Sequence, residues 1–216
     1  MIALIFDMDG VIVDSNPMHR ESWEAFNRRY GLETTDAMHQ RMYGKRNDQI
    51  LRDFFGDHLS DDEVDARGRA KEQLYREMIA GRTETMLVPG LRDFLQRHQG
   101  LPLAVASNAE PENVAFVLEE TGLRPYFRVI VDGHQVKRPK PFPDVYLRAA
   151  ELLGVEPAKC IVFEDSYSGA EAALAAGMAV IGLSTTYVNL PGALLTIDNF
   201  NSGDLESWLQ AQMRSV

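Results

Sequence analysis

The chain has 216 residues, 45% of them apolar and 25% charged. At roughly 150 residues per domain that is one large domain, or a domain carrying an insert, and the composition excludes disordered, collagen-like and disulfide-scaffold classes. Its 32 acidic against 22 basic side chains give a net charge of −10, which argues against sequence-independent binding to nucleic acid or an anionic membrane and leaves any phosphorylated ligand to local basic groups.

The apolar start Met1 to Phe6 lacks a basic flank and runs straight into Asp7, unlike a secretory signal. Ile2–Phe6 has instead the length and branching of a buried parallel strand. About 90 residues separate it from the next such run, several times the minimum for a βαβ crossover, so an insert is expected. Helices are legible within it. Asn16 is a candidate cap with Pro17 at the first position, followed by Trp23, Phe26 and Tyr30 at helical spacing and a stop at Gly31. Ser60 and Glu63 form a capping box ahead of Val64, Leu74, Tyr75, Met78 and Ile79. A helical cap is expected at about residues 15–86, spliced into a core of 1–14 and 87–216.

Beyond the insert, strands and helices alternate. Strands are expected at Leu103–Ala106, Val129–Val131, Ile161–Phe163 and Ala179–Leu183, and helices at Pro111–Thr121, Pro143–Leu153 and Ser168–Ala176, each stopped by a glycine. This is the pattern of a doubly wound α/β fold with a parallel sheet. The uncharged stretch from Ala172 to Ile197 is broken by glycines, hydroxyl residues and Pro191, and reads as a helix end, a buried strand and a loop rather than a membrane span. The single cysteine, Cys160, permits neither an internal disulfide nor a multi-cysteine zinc site, so the cytoplasm is the expected compartment.

Two strand ends are acidic. The first runs Phe6-Asp7-Met8-Asp9-Gly10, and side chains two apart on an extended chain point the same way, so both carboxylates are expected to converge. Two carboxylates about 4 Å apart repel by roughly 4 kcal/mol at an effective dielectric of 20, so a cation or a proton is needed. The fourth strand ends Glu164-Asp165-Ser166, a second pair at the same carboxyl edge, where open α/β sheets bind ligands. An EF-hand is excluded by the missing glycine and glutamate of its loop; hard oxygen donors suit Mg²⁺. Ser107-Asn108-Ala109, at the end of the second strand and before a helix, is placed to hold a phosphate. Lys140 sits in Lys137-Arg138-Pro139-Lys140-Pro141, where flanking prolines aim its ammonium, while Lys137 and Arg138 read as solvated charges.

Taken together, these residues resemble the haloacid dehalogenase superfamily, and more narrowly its β-phosphoglucomutase-like branch with a small helical cap. The resemblance covers nearly the whole chain, with four motifs in order: Asp7-x-Asp9-Gly10, Ser107, Lys140, and Glu164-Asp165-Ser166 running into Gly169-x-x-Ala172-x-x-Ala175-x-Gly177. It implies a sheet order of 3-2-1-4-5. It also implies that Asp7 is the nucleophile that accepts a phosphoryl group and that Asp9 is the general acid and base. Mg²⁺ would be held by Asp7, the backbone carbonyl of Asp9 and Asp165, with Glu164 in or just outside its shell. Ser107 and Lys140 would hold the phosphoryl oxygens. Pro139 stands where the family often has glycine. Asp9 itself argues against dehalogenase and phosphonatase chemistry, leaving phosphoryl transfer.

In the insert, Lys71 lies on the apolar side of its helix, three and four residues before Leu74 and Tyr75. His19 and Arg46 match cap positions that contact substrate or the acid/base in sugar phosphomutases; with Lys71, Ser107 and Asn108 they form the candidate substrate set. Against a mutase, Ser107 is followed by Asn108-Ala109-Glu110-Pro111 and not by a sequence resembling the mutases' second phosphate clamp. The reading is a phosphatase for a small sugar or polyol phosphate. The alternatives are a hexose phosphate mutase and, from another class, a non-catalytic phosphate-sensing module, against which Asp7 and Asp9 both stand. The partner expected is a small phosphorylated metabolite, with no nucleic acid and no membrane; the sequence does not specify the oligomeric state, and a monomer suffices.

Overall fold

A computed structural model describes residues 1–214. Six parallel strands form one sheet: β1 (Ala3–Phe6), β2 (Leu103–Ala106), β3 (Val129–Val131), β4 (Cys160–Glu164), β5 (Ala179–Leu183) and β6 (Leu195–Ile197), in the order β3-β2-β1-β4-β5-β6. The expected five strands and their order are present, and β6 adds an edge. Leu4 and Phe6 of β1 face Leu103 and Val105 on one side and Ile161 and Phe163 on the other. The central strand thus carries Asp7 to the middle of the carboxyl edge.

Side chains alternate between the sheet's two faces, as the period of a strand requires. Leu4 and Phe6 enter one cluster with Phe94, Phe127, Phe163 and Phe200; Ala3 and Ile5 enter the other, with Ala104, Ala149, Ala172 and Ala173. The first face is filled by rings, the Phe6 and Phe163 centroids lying 4.7 Å apart in a stack. The second is lined by small residues that let helices α7 (Asp144–Leu153) and α8 (Tyr167–Ala175) come close.

Between β1 and α5 (Leu91–Arg97) lie α1 (Asn16–Arg29), α2 (Asp36–Met42), α3 (Asn47–Phe55) and α4 (Asp61–Ile79). They enclose an apolar cluster of their own, Trp23, Phe26, Met42, Ile50, Leu51, Leu59 and Val64. Met18, Tyr75 and Ile79, from the same segment, pack instead into the aromatic face of the main core. The capping box is present: Ser60 Oγ accepts from Glu63 N at 3.3 Å, and the Glu63 carboxylate accepts from Ser60 N at 2.9 Å. The other expected cap is not. Ser15 occupies the position before α1 and makes no side-chain cap bond, and Asn16 is already in the helix with its amide directed elsewhere. Helices α6 (Pro111–Glu120) and α9 (Gly203–Arg214) complete the α-helices, and among the described residues no helix is long and apolar enough to cross a membrane.

Candidate active site

β1 ends at Phe6, and the chain turns at once: the Met8 carbonyl accepts from the backbone N–H of Ile12 at 2.8 Å, and Gly10 has φ of 77°. Asp7 and Asp9 both line one pocket, but with different neighbours. Asp7 stays with the acidic residues of β4, whereas the Asp9 carboxylate leaves them, held at Oδ1 by Ser15 Oγ at 2.6 Å and His19 Nε2 at 3.2 Å. A Cβ at Gly10 would overlap the Asp165 carboxylate, so the turn needs glycine for both its φ and its proximity.

Asp7, Glu164 and Asp165 each bring one carboxylate oxygen within 4.8 Å of the others, and all three are buried. Lys140, 1% exposed, places Nζ 2.9 Å from Asp7 Oδ1 and 2.6 Å from Glu164 Oε1. Glu164 is otherwise saturated. Its Oε1 accepts from Tyr146 Oη at 2.7 Å, and its Oε2 from the N–H groups of Asp165 and Ser166 and the Ser166 hydroxyl, each at 2.9 Å. Asp165 accepts from Asn16 Nδ2 at 3.0 Å and from the Thr186 hydroxyl.

Protonation follows from these partners. Burial raises Asp7; Lys140 opposes it, Glu164 and Asp9 add to it, and the balance stands above the usual carboxylate range. Asp165 is likewise raised by burial and then by Glu164 and Asp7. Burial also works to raise Glu164, yet Lys140, Tyr146 and Ser166 together hold it low. Three buried carboxylates share one ammonium, and Asp7 Oδ1 has no aligned hydrogen-bond donor. This donor set fits a hard divalent cation: oxygen ligands only, with an excess of negative charge.

Asp9 differs. Burial raises it, but His19, Ser15 and Lys71 outweigh that and bring it below the usual range. Behind His19 stands Lys71, only 1% exposed, so the lysine on the apolar side of its helix does not reach back to water. Lys71 Nζ donates to His19 Nδ1 at 2.9 Å and to Glu72 Oε1 at 2.9 Å. An ammonium has no lone pair, so His19 Nδ1 accepts and the ring proton is on Nε2, facing Asp9. The insert thereby sets the charge environment of a core carboxylate.

The remaining candidates line the same pocket, which opens between the insert and the carboxyl edge of the sheet. Ser107 is buried, its Oγ accepting from Ala109 N at 3.1 Å. Asn108 faces the pocket but its amide is engaged on both sides, Nδ2 donating to Gly44 O at 2.9 Å and Oδ1 accepting from Lys140 N at 3.1 Å. Arg46 reaches across from the insert, Nη1 donating to Gly133 O at 3.2 Å and Nε lying 3.4 Å from Asp48. Lys137 is exposed, and Arg138, also exposed, pairs with Asp144 away from the site.

Sequence reasoning missed Ser15, Asn16, Tyr146 and Thr186 as partners of the acidic groups, and Glu72 and Glu110 as pocket residues. Asn16 and Thr186 meet Asp165 from 149 and 21 residues away in the chain, a distance that no local spacing reports.

A family model for haloacid dehalogenase-like hydrolases matches residues 1–177. The chain is 35% identical over 177 residues to the fructose-1-phosphate phosphatase YqaB of Escherichia coli, covering 82% of this chain and 93% of that protein. Among solved structures, a β-phosphoglucomutase from Clostridium difficile superposes with a TM-score of 0.89 at 27% identity, over 100% of this chain and 98% of the other. The CbbY protein of Rhodobacter sphaeroides, in complex with xylulose-(1,5)bisphosphate, gives 0.80 at 26% identity over 93% and 95%.

Proposed function

This chain belongs to the haloacid dehalogenase-like hydrolase family, and from that premise we propose that it is a cytoplasmic phosphatase that hydrolyses a small sugar or polyol phosphate through an aspartyl-phosphate on Asp7. That it is an enzyme acting on phosphate esters follows from the family and its relatives. The observation that carries the finer reading is the parting of Asp7 and Asp9: one carboxylate lies among the acidic residues beside Lys140, the other is held apart by His19 and Ser15. Such a pair suits two different tasks, nucleophile and proton carrier.

In this mechanism a carboxylate oxygen of Asp7 attacks phosphorus in line with the departing ester oxygen. Asp9, which His19, Ser15 and Lys71 favour as a carboxylate at rest, takes up a proton from solvent as the anionic substrate binds, gives it to that oxygen, and as the base then takes one from the water that attacks the phosphorus of the aspartyl phosphate. The proton returns to Asp9 and inorganic phosphate leaves. Lys140 and the Ser107 hydroxyl hold the equatorial oxygens, where charge accumulates in the transition state. Asp7, Asp165 and the Asp9 carbonyl would hold Mg²⁺, with Glu164 serving mainly to anchor Lys140; when bound, the ion neutralises negative charge on the transferring group. Residues 15–86 act as a cap over the unit formed by 1–14 and 87–216, with His19, Lys71 and Arg46 facing the substrate from above.

Overall likeness to a β-phosphoglucomutase supports a second reading, a mutase that holds the intermediate for a sugar hydroxyl. One experiment separates them: purified protein with Mg²⁺ and a panel of sugar and polyol phosphates, with phosphate release and hexose 1-phosphate isomerisation followed in parallel. Phosphate release without a bisphosphate primer is expected. Primer-dependent isomerisation that outruns release establishes the mutase instead, and neither activity defeats both.

A further inference from the structure

The pocket has a near end and a far end, and contacts between neighbours order its residues along it. From Asp9 the path runs to His19, to Lys71 Nζ, and to Glu72 Oε1; Asn47 Nδ2 donates to the same Glu72 oxygen at 2.8 Å and approaches Glu110 Oε1 at 3.5 Å. Glu110, at the start of α6, and the buried Glu72 thus lie at the end of a contact path that begins at Asp9, and both line the pocket. Four carboxamides line it too: Asn16, beside Asp165, and Asn47, Asn108 and Asn113.

This far wall is poorly made for a second phosphate. Glu72 is fixed in place, accepting from Lys71 and Asn47 at Oε1 and from Asn113 Nδ2 at 2.5 Å at Oε2. Lys71 is thus shared between Glu72 and His19. Arg46 faces Asp48 and the Gly133 carbonyl, Lys45 is exposed, and the exposed His134 lies 2.6 Å from Glu110 Oε2. A dianion brought here meets two carboxylates whose neighbouring cations, Lys45 apart, are already engaged, whereas hydroxyl groups find carboxylate oxygens to donate to. Placing like charge against a disfavoured ligand is how a site rejects it.

Resting on the phosphatase reading, we propose that Glu110, backed by Glu72, is a specificity-determining residue that limits the substrate to a phosphate monoester with an uncharged polyol remainder and turns bisphosphates away. The test compares fructose 1-phosphate with fructose 1,6-bisphosphate in wild type, Glu110→Gln and Glu110→Lys, reading phosphate release as kcat/KM and ligand binding by thermal shift. Wild type is expected to favour the monophosphate by about 100-fold or more, the ratio falling to about tenfold in Glu110→Gln and further in Glu110→Lys, the scale expected when a like-charge contact is removed and then reversed. A wild-type ratio within about threefold of unity, or a ratio that neither variant moves, overturns the proposal. Should wild type release phosphate from no monophosphate, the phosphatase reading itself fails. The thermal shift then decides the charge argument: greater stabilisation by the bisphosphate refutes it, and greater stabilisation by the monophosphate sustains it.

Discussion

Replacing Lys140 with methionine removes the one ammonium among three carboxylates while keeping most of the side chain's volume. At 2.6 and 2.9 Å each contact is worth about 6 kcal/mol at an effective dielectric of 20, before the cost of desolvating the ammonium. The two partners do not suffer equally. Glu164 keeps Tyr146, two backbone N–H groups and the Ser166 hydroxyl, but the Asp7 carboxylate loses its only facing cation among the described residues. Removing one member of a buried ion pair costs about 3–5 kcal/mol, and here the loss falls on Asp7, which escapes part of it by taking up a proton. We expect Lys140→Met to lose about 2–4 kcal/mol in urea unfolding without divalent metal, and Mg²⁺ to restore more stability to the variant than it adds to wild type. Turnover should fall by about 10²–10³ even at saturating Mg²⁺, because the stabiliser of the phosphoryl oxygens is gone. A variant within about 1 kcal/mol and tenfold of wild type would show that Lys140 neither anchors this cluster nor serves the chemistry.

Asp7→Asn should fold normally, lose all measurable phosphate release and no longer be protected by fluoroberyllate with Mg²⁺; residual turnover in the purified variant contradicts covalent catalysis. Gly169→Ala drives a methyl into the Glu164 carboxylate and should cost about 1–3 kcal/mol in chemical denaturation, with a larger loss of activity than the same change at Gly100, where a Cβ has open space on an exposed turn. The Cys160 thiol is buried, which raises it to about 11. Because the folded value lies above the unfolded one, the neutral thiol's contribution to stability is complete below the unfolded pKa and is lost as pH rises through about 11. At pH 8 an aromatic disulfide reagent should therefore label native protein far more slowly than urea-unfolded protein, and equal rates would mean that the start of β4 opens readily.

The core strands were legible because they are short apolar runs closed by glycine, serine or acid, and parallel strands buried on both faces read that way. β6 was not: its three residues include an exposed Thr196, too little for either an apolar run or an alternation. Asn16 shows a different limit. Its side chain has the chemistry of a helix cap, and local pattern takes it for one, but the amide is recruited by Asp165 across the sheet edge. The acidic residues were visible as motifs at strand ends, and Lys140 as one in the loop between β3 and α7. The division between Asp7 and Asp9 was not, since extended geometry was carried past Phe6 into a turn. Lys71 was noticed for being on the wrong face of its helix, and its buried partners, His19 and Glu72, give the reason.

Helix α4 belongs to two packing units at once, with Val64 in the cluster of the insert and Tyr75 and Ile79 in that of the sheet. At 19 residues it is a rod about 28 Å long. A rod seated at one end moves as a lever, so its displacement scales with distance from Ile79. Lys71 lies two turns from that seat and travels little, whereas Asp61 sweeps the widest arc. Solvent entry should accordingly begin at the rim near Arg46 and reach His19 last.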